Sequence, residues 1–289
     1  MVVADLKLVV CVCVHPELIL WQLASLRRFL KQSFDYCVVD DSKEESVSAT
    51  IRDVCLSQGV EYLRSPPHEP HRDQPSTRHA DTLMYGFKTM ERRVEGYKYV
   101  GTLDSDFFLI SPLDLDEVLR EENILTVKHT REHIRYFWPG CCIWKCDTHA
   151  LEDFHWDICV DGGVRADTGG TTYYYWRDRG DAVKPLELLE YQFLHIPRDQ
   201  WLPLLQNYLP APLLNFCLYD IILADRCGVS WWSDIYADPQ NRFVFFHLRD
   251  VSNWQGVRAE YLAAKIQRFC DALQTHIESG LTNVRQSKK

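Results

Sequence analysis

Residues 97–111 read YKYVGTLDSDFFLIS: an apolar run enters two aspartates one residue apart, Asp104 and Asp106, and then turns apolar again. Carboxylates beside a buried strand are costly unless a cation meets them. On a strand, side chains at i and i+2 share a face, so both acids are expected to point at one spot. The economical reading is a divalent metal site at the end of a core strand, and with it a phosphate-bearing substrate. Roughly two D-x-D triplets arise by chance in a chain this rich in aspartate, and a second occurs at Asp114 and Asp116. That one lies in a polar segment behind Ser111-Pro112 and reads as the first turn of a helix, where acids suit the dipole. Context separates the two triplets.

Upstream of the motif, strand and helix patterns alternate. Residues 7–14 (KLVVCVCV) form a continuous apolar run fit for a strand buried on both faces. Residues 16–31 carry Leu18, Trp21, Leu23, Leu26 and Leu30 near a helical period behind a proline. Residues 35–40 (DYCVVD) read as a second strand ending at Asp40, Asp41 and Ser42, 46–58 as a helix stopped by Gly59, and 60–64 as a third strand. A Pro/His-rich loop, 65–76, is long enough to suggest function. Residues 77–94 read as helix, and 97–109 as the strand bearing the acids. Repeated βα units mean a parallel sheet flanked by helices, with ligands bound beyond the carboxyl ends of its strands. Asp40, Asp41, Asp104 and Asp106 all fall at those ends.

The second half is less regular. Residues 124–128 and 142–144 read as strands flanking a Trp138-Pro139-Gly140 turn, and 147–160 as helix. A Gly-rich stretch, 161–172, precedes the aromatic run 173–176. Residues 242–247 (RFVFFH) read as a strand, 256–278 as an amphipathic closing helix, and 282–289 as a disordered tail. One domain over 1–281, with halves at 1–111 and 112–281, is the expected organisation.

The chain has 289 residues, 46% hydrophobic and 25% charged, which describes an ordinary globular protein. No apolar run has the length of a membrane span and no secretory signal is evident. A net charge of −9 argues against general nucleic-acid binding and leaves room for an anionic small substrate where positive charge gathers locally. It gathers at 128–135, KHTREHIR. The eleven cysteines are scattered and mostly within apolar segments, as free core cysteines are. The closest cluster, Cys141, Cys142, Cys146 and His149, lacks a second C-x-x-C pair. A reduced, cytoplasmic chain is the expectation.

Four segments together resemble the GT-A class of nucleotide-sugar-dependent glycosyltransferases, a class that includes small viral and bacterial polysaccharide-building members. They are Cys13-Val14-His15 after the first strand; Val38-Val39-Asp40-Asp41-Ser42; Asp104-Ser105-Asp106; and 246–254, FHLRDVSNW, similar to an H…S-x-W segment. The resemblance implies a Rossmann-like, mostly parallel sheet with an irregular acceptor-side half, and transfer of a sugar, from a UDP-sugar foremost, to a carbohydrate or glycan acceptor. It implies Mn²⁺ or Mg²⁺ held by Asp106 and His247, with Asp104 on the metal or the ribose. Val14, His15, Asp40, Asp41 and Ser105 would contact the nucleotide, and Ser252 and Trp254 would belong to the closing segment.

Arg78 and His79, at a helix start where anions are favoured, would meet the diphosphate or donor sugar, with Arg249 a second candidate. Asp167, in Asp167-Thr168-Gly169-Gly170, would be the general base of an inverting enzyme, with Asp161 as substitute. Retaining chemistry stays open. A sugar-phosphate nucleotidyltransferase would need a Gly-rich basic loop after the first strand, where this chain reads VCVHPELIL. A non-catalytic carbohydrate-binding protein of the same fold is the third reading.

Overall fold

The computed structural model describes residues 4–90, 95–191, 203, 205–227, 233–242, 244–249, 251 and 259–286, with the backbone alone at 225 and 280–286. They form an α/β structure around a seven-stranded, mostly parallel central sheet. Two compact units interleave along the chain. The first comprises Met1–Pro16, Lys31–Ser105 and Asp114–Leu188, the second Glu17–Leu30, Asp106–Leu113 and Leu189–Lys289.

The first unit opens with β1 (Leu6–Val12), β2 (Phe34–Asp40), α2 (Glu45–Gln58), β3 (Glu61–Arg64), α3 (Pro75–Met90) and β4 (Tyr99–Asp104). It continues with α4 (Leu115–Val118), β6 (Ile124–Arg131), β7 (Ile134–Lys145), β8 (Cys159–Asp161), β9 (Val164–Ala166), α5 (Thr172–Arg179) and β10 (Pro185–Glu187). Its sheet runs β10-β6-β7-β4-β1-β2-β3, and β7 alone opposes the others. The apolar run of β1 is buried between two parallel neighbours, as its lack of alternation predicts. After β3 the chain crosses to the far side of β1 to form β4. Register then aligns Val12 with Asp40 and Cys11 with Asp104. Strand order reverses here, which is where open α/β sheets bind ligands. The core joins Val9 and Val39 to Leu83 and Phe87 of α3 and to Trp144 and Trp156.

The second unit holds α1 (Glu17–Phe29), β5 (Phe107–Leu109), β11 (Leu189–Tyr191), α6 (Ala211–Cys227), β12 (Asp234–Ala237), β13 (Val244–His247) and α7 (Ala259–Gln286). Its strands form an antiparallel sheet, β11-β12-β13-β5. Phe108 and Phe246 from the sheet, Phe216 from α6 and Phe269 from α7 form its aromatic core. Between α6 and α7, Lys265 and Asp220 face each other at 3.3 Å with side chains 0% and 1% exposed. Tyr261 donates to the same carboxylate (3.2 Å), as does Ser233 (3.1 Å).

Several sequence expectations are corrected. The strand read over 97–109 is two strands: the chain leaves the first sheet at Asp104 and β5 pairs with β13. Asp106 therefore sits in a turn, and the shared-face argument for the two acids does not apply. Residues 147–160 are not a helix. A single 3-10 turn, Leu151–Asp153, leads into extended chain. Phe154 and Trp156 are both buried, and positions i and i+2 reach one side from an extended backbone. Trp138-Pro139-Gly140 is no turn either. It is a bulge inside β7, where the β6 pairing shifts register, and a Cβ on Gly140 would strike the Trp138 ring at 2.1 Å. The hairpin turns at Glu132, φ +51°. The Asp114 reading holds: it caps α4, accepting from the Asp116 amide at 3.0 Å. The closing helix runs past Thr282 to Gln286.

Candidate functional site

In the first unit the site is built on the ends of β1, β2 and β4. Beyond Val12 the half-buried Val14 and His15 follow, with His15 in the left-handed region at φ +58°. Asp40 and Asp41, adjacent in sequence, have separate surroundings. Asp40 is 0% exposed and both its oxygens are occupied. Ser42 donates its amide (2.8 Å), Ser48 and Tyr62 their hydroxyls (2.5 and 2.8 Å), and Arg64 pairs at 2.9 Å. Burial pushes the Asp40 carboxyl up, but hydrogen bonds from Ser48, Ser42 and Tyr62 outweigh it and hold the group below the usual carboxylate range. Asp40 thus ties β2, α2 and β3 together and presents no oxygen to a ligand.

Asp41 faces the Pro/His-rich loop and α3. Arg78 donates to its carboxylate (3.1 Å) and to its backbone carbonyl (2.7 Å), and also binds Asp73 (2.8 Å). His68 meets the other Asp41 oxygen at 2.5 Å and lies 3.5 Å from Asp81. Arg72 grips Asp81 through Nε at 2.8 and 2.7 Å and reaches Asp157 at 2.9 Å. Loop 65–76 is therefore fastened by ion pairs, and Arg78 already carries two carboxylates. His79, the next residue, turns to Asp104, with Nε2 3.4 Å from Oδ1. Burial and the nearby Asp104 and Asp41 charges push the Cys11 thiol well up, so it stays a neutral core thiol. Burial likewise raises the Cys146 thiol to about 11 and lowers His149, so the Cys141–His149 cluster belongs to the core.

Asp167 sits in the same unit, exposed, on the turn between β9 and α5. The two glycines behind it serve packing. Gly169 has φ +87°, and a Cβ there would lie 2.3 Å from the Phe137 carbonyl oxygen. The turn is also fixed to the start of α3, where Thr168 donates to the Ser76 carbonyl at 2.8 Å. Asp161, the substitute base, is 3.0 Å from His133.

In the second unit, His247 ends β13 and its Nε2 lies 3.5 Å from Asp106 Oδ1. Asp234, directly opposite on β12, has Oδ2 4.0 Å from His247 Nδ1. Arg249 pairs through Nε with Asp234 and donates to Glu190 at 2.6 Å; Tyr236 donates to Glu190 at 2.8 Å. Ser252 and Trp254 lie outside the described residues, and half-buried Ser105 ends the Lys31–Ser105 segment of the first unit.

Among the described residues, no group of three or more His, Cys, Asp and Glu is arranged to hold a metal ion. The Asp106–His247 pair still fits a cation that keeps waters and takes substrate phosphates as its remaining ligands, as Mg²⁺ and Mn²⁺ do. The imidazole nitrogen favours Mn²⁺. Asp234, Glu190, His68, Arg72, Asp81 and Asp157 are the partners that sequence reading missed. Only the length and composition of loop 65–76 signalled any of them.

No family model matches the sequence, and no curated protein matches it either. Among described residues, no helix is long and apolar enough to cross a membrane. The structure is similar to the X-ray structure of the mannosyltransferase Ktr4p from S. cerevisiae, at 11% identity and a TM-score of 0.34, covering 62% of each chain. The chain spans 62% of that protein's length.

Proposed function

We propose that this protein is a metal-dependent glycosyltransferase that moves a sugar from a nucleoside-diphosphate sugar, UDP-linked foremost, to a carbohydrate acceptor. The observation that carries the reading is the Asp106–His247 pair, two metal-competent donors 3.5 Å apart at the edge of one sheet. Asp106 belongs to a D-x-D whose first acid ends a strand at the sheet's switch point. A divalent ion bound there supplies charge stabilisation to a departing diphosphate.

Asp106 and His247 would hold the ion, while Asp104 stays with the D-x-D role for the ribose or metal. Arg249 flanks His247 and would answer diphosphate charge in exchange for a share of its bond to Asp234 or Glu190. Arg78 would have to loosen Asp41 or Asp73 to do the same, and Asp41 is the nucleotide-side acid in place of the sequestered Asp40. In an inverting transfer, Asp167 takes the proton of the acceptor hydroxyl as that oxygen bonds to the anomeric carbon. The bond from that carbon to the phosphate oxygen breaks, and its electron pair leaves with the nucleoside diphosphate.

Because the described residues supply so few donors, Mn²⁺ alone should bind weakly and UDP with Mn²⁺ strongly. Titration calorimetry tests this. Binding of UDP that requires Mn²⁺ and drops at least about tenfold in Asp106→Ala is expected. Metal-independent binding, or a variant that binds like wild type, would sink the proposal. Turnover across UDP- and GDP-sugars then identifies the donor.

A further inference from the structure

The Pro/His-rich loop of the first unit is firm in its backbone and loose at one side chain. Arg72 is held by Asp81 and Asp157, and its carbonyl accepts from the Thr77 hydroxyl at 2.5 Å. The Arg78 amide donates to the Gln74 carbonyl at 2.9 Å, so the chain on either side of Asp73 is fixed to α3. The Asp73 carboxylate is 46% exposed and accepts from two cations on separate elements. Arg78 Nη1, on α3, donates at 2.8 Å, and Lys43, just before α2, reaches the two oxygens at 3.1 and 3.2 Å.

Arg78 divides its guanidinium between an inner and an outer acid. Nε and Nη2 hold the carboxylate of Asp41, only 12% exposed, at 3.1 and 2.9 Å, and Nη2 also holds the Asp41 carbonyl at 2.7 Å. That grip sets the guanidinium at the carboxyl end of β2 and leaves Nη1 for Asp73. Lys43, on the other side of Asp73, is 64% exposed. Hydrogen bonds from Arg78 and Lys43 hold the Asp73 carboxyl below the usual carboxylate range, so it is charged at neutral pH. Water and salt screen exposed pairs of this kind and make them weak. Two oriented cations are thus covered by one carboxylate that is readily exchanged.

We propose that Lys43 and Arg78 form a seat for phosphate oxygens and that Asp73 is its built-in occupant, displaced by a diphosphate-bearing ligand when its side chain swings away; this deepens, and rests on, the reading of the β2 end as the nucleotide side. A diphosphate brings more charge and more acceptor oxygens than one carboxylate, and a guanidinium takes such oxygens through directed, charge-assisted bonds. Exposed Glu44 and Glu45 follow Lys43, so a monoanion gains little here and the ligand must bring several charges. A seat filled by its own chain binds with an affinity reduced to the fraction of molecules in which it is empty. Asp73 therefore sets how much anion is needed before the site fills.

The test is calorimetric titration of the full chain with inorganic diphosphate, and separately with UDP, in EDTA at fixed low ionic strength. Asp73→Ala should bind diphosphate about five- to tenfold tighter than wild type, and UDP should show the same gain. Glu69→Ala removes the same charge from an exposed position of the same loop and should change affinity less than about twofold. Lys43→Gln should weaken diphosphate about fivefold, in the wild-type and the Asp73→Ala chain alike. Absence of diphosphate binding in both chains, no gain in a folded Asp73→Ala variant, an equal gain in Glu69→Ala, or a gain that UDP does not share would each overturn the proposal. Failure of the donor reading looks different: Mn²⁺ would add nothing to UDP binding, while the gain in Asp73→Ala persisted.

Discussion

Adjacent carboxylates at the end of β2 show how far a residue type can be read without its surroundings. Asp40 and Asp41 read alike in sequence as nucleotide contacts, yet Ser48, Tyr62 and Arg64 sequester Asp40 from two other elements, while Asp41 is held by His68 and Arg78 from the loop and α3. Asp40→Ala should therefore act on stability, by about 3 kcal/mol in denaturant unfolding, since it strands those partners. The sign with pH follows from its depressed pKa. Its contribution is complete above the ordinary carboxylate value of about 4 and is lost as pH falls through the lower folded value, so Asp40→Asn should flatten the acid limb of the stability profile. On the second unit, Asp234 Oδ2 lies 4.0 Å from His247 Nδ1, beyond hydrogen-bond range but on the side from which a carboxylate would orient a ligand imidazole. Asp234→Asn should weaken Mn²⁺ in the UDP complex by about 10- to 100-fold without unfolding the chain, read by Mn²⁺ paramagnetic resonance. Asp234 was invisible in sequence because its only claim is a place opposite His247 across a sheet.

Elements were legible in proportion to how locally they are determined. The apolar run of β1, the capped start of α4 and the periodic closing helix declare themselves within a few residues. β5 does not. Its three residues continue an apolar run from β4, and only the partner strand β13 shows that the sheet has changed. The strands β8 to β12 are three or four residues each, too short for a period to register. Gly169 was legible as a turn, but its partner, the Phe137 carbonyl, was not. Gly169→Ala combines a strained φ with an overlap at 2.3 Å. It should cost about 2 kcal/mol in chemical denaturation and lower turnover more than UDP affinity, because the turn carries Asp167 rather than the donor contacts.

For the whole molecule, the cysteine content that first suggests zinc or disulfides belongs to the core. All eleven are free, and Cys37, Cys55, Cys141, Cys142, Cys159, Cys217 and Cys270 are buried. Burial holds the Cys55 and Cys270 thiols up to about 12, so neither offers much thiolate at neutral pH. Alkylation at pH 7.5 followed by intact mass should modify Cys13 and Cys227 early and reach all eleven only in denaturant.

The Asp220–Lys265 pair extends this difference between folded and unfolded chains to amine chemistry. A lysine with no exposed side-chain surface is out of reach of acylating reagents and acetyltransferases once α6 and α7 have closed over it. While the chain is still being made, the same amine is open. An acyl group added then would leave Asp220 buried without its counter-charge and a bulky amide between two packed helices. Lys265 thereby divides the protein's history in two: acylated molecules are those caught before the second unit closed, and they should collect in the fraction that fails to refold.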